Sequence, residues 1–232
     1  MIYTRILKTI FSTYNETLTT EEYDSFVEFV HGMMLQMMKD LSQFNPGPER
    51  ARRLQQLIEL ETDQHAHIKA SCQKGCSACC HLEVEITADE AALLSQAVDS
   101  GYIIDDFKLA NLALREKNDV KWKRGAVVDN RCVFLDNEGA CSAYEYRPSV
   151  CRKALVTSEP IECATESGKV VPIYMPKAEI IISAALNLPE NGFGAFAKML
   201  FEKRQAVAEA QAQAELEAES VVLEKSEDVK FI

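Results

Sequence analysis

Residues 72–80 read Cys72-Gln-Lys-Gly-Cys76-Ser-Ala-Cys79-Cys80, so four cysteines stand within nine residues. The other four of the chain's eight cysteines lie further along, in mostly loop-rich sequence: Cys132, Cys141, Cys151 and Cys163. A metal held by thiolates needs several sulfur atoms about 2.3 Å from one centre. Glycine and small residues between the cysteines allow the backbone to fold around such a centre. The pattern therefore predicts a metal or cluster site built by cysteines from two distant stretches of chain.

The spacing of the cysteines also excludes several common sites. Zinc ribbons need two C-x2-C pairs, whereas Cys76-Ser-Ala-Cys79 is the only such pair in the chain. The C-x2-C-x2-C-x3-C-P run of two-cluster ferredoxins is absent. A thioredoxin-like C-x-x-C pair follows a strand in a βαβ unit, but the sequence around Cys76 has a helical pattern. None of these familiar classes therefore describes the cysteine segment.

The rest of the sequence indicates a cytoplasmic protein. Residues 1–14 carry dispersed charges and lead into a polar stretch, so they do not resemble a signal peptide. No apolar run reaches the roughly 18–20 residues of a membrane span, and a net charge of −11 disfavours nucleic acids and anionic membranes as partners. Because thiols stay reduced in the cytoplasm, the cysteines indicate metal or redox chemistry rather than a disulfide framework.

Helix signals dominate the remainder of the chain. Thr19-x-x-Glu22 and Thr87-x-x-Glu90 are capping-box patterns, each of which predicts the start of a helix. Apolar residues at helical spacing predict further helices, including one over residues 48–70 and a long one that begins near Phe193. We therefore expect a mainly α fold, with helices around an irregular cysteine-rich metal-binding loop core and minor β structure at most.

Three regions follow from this pattern. We predict an N-terminal helical region over residues 1–70 and a cysteine-cluster metal-binding domain over residues 71–190. Residues 191–232 are predicted to form a C-terminal helix with an acidic tail, rich in alanine, glutamate and glutamine.

Three motifs, in order, resemble the CxxCxxCC cysteine-cluster family of the YkgJ type, which is described as zinc- or iron-chelating. They are residues 72–80, then Val84-Glu-Ile-Thr87-x-x-Glu90-Ala91, then Cys132-Val-Phe-Leu-Asp136-x-x-Gly139-x-Cys141-Ser-x-Tyr144-Glu-x-Arg147-Pro148-x-x-Cys151-Arg152. The resemblance covers roughly residues 70–165 and implies a bound metal or cluster, with little about a reaction. The gap between Cys72 and Cys76 is three residues where the family name implies two, so Cys72 is a secondary candidate ligand.

All eight cysteines are candidate ligands, and they fall into two groups. The main set is Cys76, Cys79, Cys80, Cys132, Cys141 and Cys151, and the additional candidates are Cys72 and Cys163. Eight thiolates exceed the four that one zinc ion or one [4Fe–4S] cluster needs, so either two centres exist or some cysteines are buried spectators.

The identity of the metal stays open between zinc and iron–sulfur, because all-thiolate ligation suits both. The adjacent Cys79 and Cys80 favour iron–sulfur, since their side chains diverge and a cluster offers ligand positions several ångströms apart. Zinc would instead form a closed structural site whose binding energy stabilises loops that have little core of their own.

Residues beside the cysteines have supporting roles in this interpretation. Arg147 and Arg152 are expected to offset the negative charge of the thiolates and lower their pKa values, or to pair with neighbouring carboxylates. Asp136 is expected to cap the turn that follows it. Pro148 fits the start of a helix that carries Cys151.

The sequence leaves three functional hypotheses. The first is a metal- or cluster-binding protein with a redox, maturation or sensing role. The second is an enzyme that uses the cluster; a flagellin lysine methylase is similar in carrying such a cysteine segment, but methyl transfer is not carried over because the chain has no G-x-G-x-x-G loop. The third is a zinc-stabilised interaction module whose helices bind a protein partner. Whether the chain is an enzyme is therefore undecided at this level.

Overall fold

The computed structural model of the chain describes residues 1–73, 75–115 and 130–228. Within these ranges it contains nine α-helices and a single sheet of two short strands, so the predicted mainly α fold is confirmed. The helices are α1 (Arg5–Thr17), α2 (Thr20–Leu41), α3 (Pro48–Gln64), α4 (Ala88–Asp99), α5 (Asp106–Ala113), α6 (Ser149–Lys153), α7 (Pro160–Ala164), α8 (Pro176–Leu186) and α9 (Phe196–Asp228). Short 3-10 turns lie at Ala78–His81 and Tyr144–Tyr146.

Both predicted capping boxes are present and start α2 and α4. In each, the threonine hydroxyl accepts a hydrogen bond from the glutamate backbone N–H at 3.3 Å, and the glutamate carboxylate accepts one from the threonine N–H at 2.9 Å. These bonds satisfy backbone donors that have no partner within the helix.

Helix α3 is shorter than the prediction, which extended it to residue 70. It ends at Gln64 because the last turn tightens: the N–H groups of His65 and Ala66 donate to the carbonyls of Thr62 and Asp63, three residues back. Residues 65–73 are therefore free to lead the chain, as a non-helical segment, into the cysteine loop.

The first hydrophobic core joins α2 and α3 to α8, which is distant in the sequence. Its fully buried side chains include Leu41, Leu54, Ile58 and Ile181. Burial of each such side chain stabilises the fold by about 1.5–3 kcal/mol. Val150, on α6, packs against this core, so the helix that carries Cys151 is anchored to it.

The second core lies between α4, α5 and α9. Strand β1 (Glu85–Thr87) pairs with β2 (Phe193–Ala195) in antiparallel register, which brings the start of α9 beside the start of α4. Phe134, Cys132 and Cys141 pack against this second core. The cysteine segments therefore contact both cores.

A buried ion pair ties α3 to α4. The Arg50 Nε donates to the Asp89 carboxylate at 2.5 Å and a second guanidinium nitrogen donates at 3.1 Å. The same carboxylate accepts from the Gly47 N–H at 2.6 Å. The sequence does not predict this ion pair, because its two residues are far apart in the chain.

Among the described helices, none combines the length and the apolar composition of a membrane span. The predicted division into regions 1–70, 71–190 and 191–232 stays a prediction.

Candidate metal centre

Seven of the eight cysteines line one cavity of about 540 Å³: Cys72, Cys76, Cys79, Cys80, Cys132, Cys141 and Cys151. The two distant cysteine stretches, residues 72–80 and 132–151, therefore meet around a common space. Most of the remaining wall is apolar and includes Leu94, Leu112, Phe134 and Phe196. Cys79 belongs to the exposed residues, so the cavity opens to solvent beside it.

Backbone contacts hold the two cysteine loops together. The Cys132 N–H donates to the Cys80 carbonyl at 2.8 Å. Gly75 and Gly139 both have positive φ, 88° and 80°, and a Cβ on Gly139 would lie 3.3 Å from the Gly75 carbonyl oxygen. Glycine at residue 139 therefore allows both the turn and the close approach of the loops.

The first loop presents its adjacent cysteines on a 3-10 turn. The Cys80 N–H donates to the Ser77 carbonyl at 2.8 Å, and the Leu82 N–H donates to the Cys79 carbonyl at 3.2 Å. This tight turn places both the Cys79 and Cys80 side chains on the cavity wall.

The second loop is shaped as the sequence predicted. The Asp136 carboxylate accepts hydrogen bonds from the Glu138 and Ala140 N–H groups at 2.9 and 2.8 Å, so it caps the turn. Cys141 is then held opposite Leu135 in an isolated antiparallel bridge.

Helix α6 follows Pro148, its N-cap residue, and carries Cys151 to the cavity, as predicted. Its first N–H, that of Ser149, donates to the Glu90 carboxylate at 2.7 Å. The Glu90 carboxylate therefore stabilises the starts of two helices, because its other oxygen accepts the Thr87 N–H in the capping box of α4. The sequence indicated only the capping role, because the α6 contact joins residues far apart in the chain.

The two arginines of the motif have different surroundings. Arg147 lines the cysteine cavity, and its Cζ lies 4.2 Å from the centroid of the Tyr144 ring. Arg152 lines a separate surface cavity of about 400 Å³ and pairs there with Glu59. Arg147 is therefore placed to offset thiolate charge, whereas Arg152 is engaged elsewhere.

The thiols differ in their acidity. A hydrogen bond from the Cys80 thiol lowers the pKa of Cys79 to about 6, and the charge of Arg147 adds to this effect. The same hydrogen bond raises the pKa of Cys80, and burial raises the pKa of Cys132 to about 11. Since thiolates are the form that binds metals, the buried thiols need a bound cation before they lose their protons readily.

The donor chemistry of the cavity fits a thiophilic metal, because seven of its wall residues are cysteines. Among the residues that the structure describes, no three His, Cys, Asp or Glu side chains form a group that could hold a metal ion as they stand.

Cys163 lies outside the lining of this cavity. It is half-buried on α7, which packs against the 3-10 turn that carries Cys79 and Cys80. Its role as a ligand stays a prediction.

Replacement of Gly139 by alanine is expected to weaken metal binding. The positive φ costs an L-residue roughly 1–2 kcal/mol, and the new Cβ would press on the Gly75 carbonyl and separate the two loops. We expect a metal affinity about tenfold lower, which corresponds to about 1.4 kcal/mol. Competition for zinc with a chromophoric chelator measures the affinity.

Gly101→Ala is the matched control, because Gly101 also has a positive φ of 104° but no atom within 4 Å of its added Cβ. It should lose stability and keep the wild-type affinity. Equal affinities for the two variants would show that the loop contact does not position the thiols.

The fold and the cavity define a class of protein: a mainly helical protein with a cysteine-rich segment that carries the donor set of a metal site. Comparison with family models makes the class specific, since residues 71–167 match the CxxCxxCC family, whose description is "Putative zinc- or iron-chelating domain". The match confirms the resemblance that the motifs predicted, and the description of the family supports metal binding. Neither a curated protein nor a solved structure matches the chain significantly.

Proposed function

We propose that the chain binds a thiolate-ligated iron–sulfur cluster in the cysteine cavity. The observation that carries the proposal is the gathering of seven thiols, from residues 72–80 and 132–151, around one space of about 540 Å³. One cluster needs four thiolates, so the wall offers enough donors for a complete ligand set. The main ligands in this proposal are Cys76, Cys79, Cys80, Cys132, Cys141 and Cys151, and Cys72 and Cys163 are additional candidates.

Two observations support a cluster over a single zinc ion. Cys79 and Cys80 are adjacent on a tight turn, and a cluster offers them separate ligand positions. The thiols also border a cavity rather than a single point, which suits a larger inorganic group. Zinc remains the alternative that the same donors accept.

The residues of the chain would control the centre in three ways. Cys79, with its pKa of about 6, supplies a thiolate at neutral pH. The backbone contact between Cys132 and Cys80 keeps the two loops together. The apolar part of the wall lowers the local polarity, which is one of the influences on the potential of a cluster. A bound cluster supplies one-electron redox chemistry, and a redox, maturation or sensing role is part of this proposal.

Anaerobic purification followed by elemental analysis tests the proposal. We expect iron and acid-labile sulfide in similar amounts, and a visible absorbance that is bleached by a reductant and returns on reoxidation. Colourless protein with stoichiometric zinc would contradict the cluster and indicate a zinc-stabilised domain instead. Fresh protein that contains neither iron nor zinc, and binds neither on reconstitution, would overturn the metal-binding function itself.

A further inference from the structure

We propose that Arg147 is a positioning residue of the metal centre, and that its guanidinium donates a hydrogen bond to a metal-bound cysteine sulfur. The inference rests on the proposed function, because it needs a metal centre in the cysteine cavity. In this proposal Arg147 has two roles: its positive charge offsets the charge of the thiolates, and its N–H group orients one of them.

The first observation is a buried donor without an acceptor. Arg147 lines the cavity of the cysteines, and its Nε atom is inaccessible to solvent yet has no hydrogen-bond partner among the described residues. Buried N–H groups in proteins almost always have acceptors, and an exception calls for an explanation. A thiolate drawn to a metal in the same cavity would provide the acceptor.

The second observation is that the rest of Arg147 is held in place. Its Cζ lies 4.2 Å from the centroid of the Tyr144 ring, and the stacked guanidinium is thereby restrained. Its carbonyl oxygen accepts hydrogen bonds from the Gln55 side chain and from the Arg152 Nε, both at 2.9 Å. The side chain is therefore pre-positioned, so little order has to be gained when the metal binds.

The third observation concerns the sulfur atoms that share the cavity with Arg147. Cys79 belongs to the first cysteine loop, Cys141 to the second, and Cys151 to α6, and all three line the cavity that Arg147 lines. The proposed acceptor is one of these three sulfur atoms.

The other arginines near Arg147 have hydrogen-bond partners of their own. Arg115 also lines the cysteine cavity and donates to the side-chain oxygen of Asn130. Arg52 and Arg152 line the separate surface cavity, where Arg152 pairs with Glu59 and both arginines donate to the Glu145 carbonyl. Hydrogen-bond partners of metal ligands orient those ligands and adjust the affinity and redox potential of the metal. A guanidinium beside metal-bound thiolates would have the same two effects.

The test compares zinc affinity in Arg147→Met and Arg147→Lys with the control variants Arg52→Met and Arg52→Lys. Arg52 is a close match, since its Cζ also lies 4.2 Å from a tyrosine ring, that of Tyr146, but it does not line the cysteine cavity. Loss of an outer partner of a metal ligand typically weakens metal binding about 10–100-fold. We expect a loss of this size in Arg147→Met, partial recovery in Arg147→Lys, and wild-type affinity in both controls.

The reduction potential of reconstituted protein is a second measurement, and a purely structural role of Arg147 would leave it unchanged. Removal of a donor and a positive charge beside a cluster disfavours the reduced, more negative state, so the reduction potential should fall in Arg147→Met and stay unchanged in Arg52→Met. If Arg147→Met does not fold, the zinc affinities and potentials of Arg147→Lys and Arg52→Lys are compared instead, and equal values overturn the inference.

Equal zinc affinities and potentials for the Arg147 and Arg52 variants would overturn the inference while leaving the proposed function intact. Failure of the proposed function is distinguishable, because it is measured on the wild-type protein, which would then hold zinc alone or no metal at all.

Discussion

Replacing Cys79 and Cys80 together by alanine is expected to abolish binding of iron or zinc. The two thiols are the hydrogen-bonded pair of the cavity, and the charges of Cys132 and Cys151 act on Cys80 from the other cysteine loop. Loss of two proposed ligands should reduce the affinity by more than the roughly 10–100-fold that loss of an outer partner costs. Elemental analysis after reconstitution and gel filtration measures the outcome.

The same double variant should also lower the thermal stability of reconstituted protein to that of the metal-free wild type. Metal binding contributes to folding when the site is assembled only in the folded chain. Ser42→Ala is the control, since the Ser42 side chain is exposed at the end of α2 and does not line the cavity, and this variant should retain the metal. A full metal complement in the double variant, or its loss in the control alone, would contradict the placement of the centre in this cavity.

Replacing Arg50 by methionine should destabilise the protein by about 3–5 kcal/mol, the usual cost of leaving one charge of a buried ion pair without its partner. The Arg50 and Asp89 side chains are only 7% and 5% exposed, so solvent cannot take over the role of the guanidinium. Because the Asp89 carboxylate would keep the Gly47 N–H as its donor but lose both guanidinium donors, the junction of α3 with α4 should loosen first. Urea unfolding followed by circular dichroism measures the free energy.

Arg53→Met provides the comparison on the same helix. Arg53 also makes two hydrogen bonds to a carboxylate, that of Asp40, but the two side chains are 25% and 28% exposed. Exposed pairs contribute about 0–1 kcal/mol, so this variant should stay close to wild type. Combining Arg50→Met with Asp89→Leu should recover much of the loss, because the unpaired charge is then gone. Equal effects of Arg50→Met and Arg53→Met would show that burial does not govern the cost.

The starts of α2 and α4 and the turn at Asp136 could be predicted because each depends on hydrogen bonds between residues at most four positions apart. The end of α3 could not, since its last turn tightens where the chain leaves for the cysteine loop. Strand β2 escaped prediction for a similar reason: three residues have no strand pattern of their own, and their partner β1 is distant in sequence.

The amino-acid sequence by itself determined the mainly helical class and the cysteine motif of the family, because periodicity, capping and ligand spacing are local properties. Only the tertiary structure decided that seven thiols share one cavity while Cys163 lies outside its lining, and that Arg147 rather than Arg152 faces it. The same holds for the burial of Arg50 against Asp89. Such outcomes depend on which distant segments pack together, and no local pattern of residues specifies the direction in which a side chain then points.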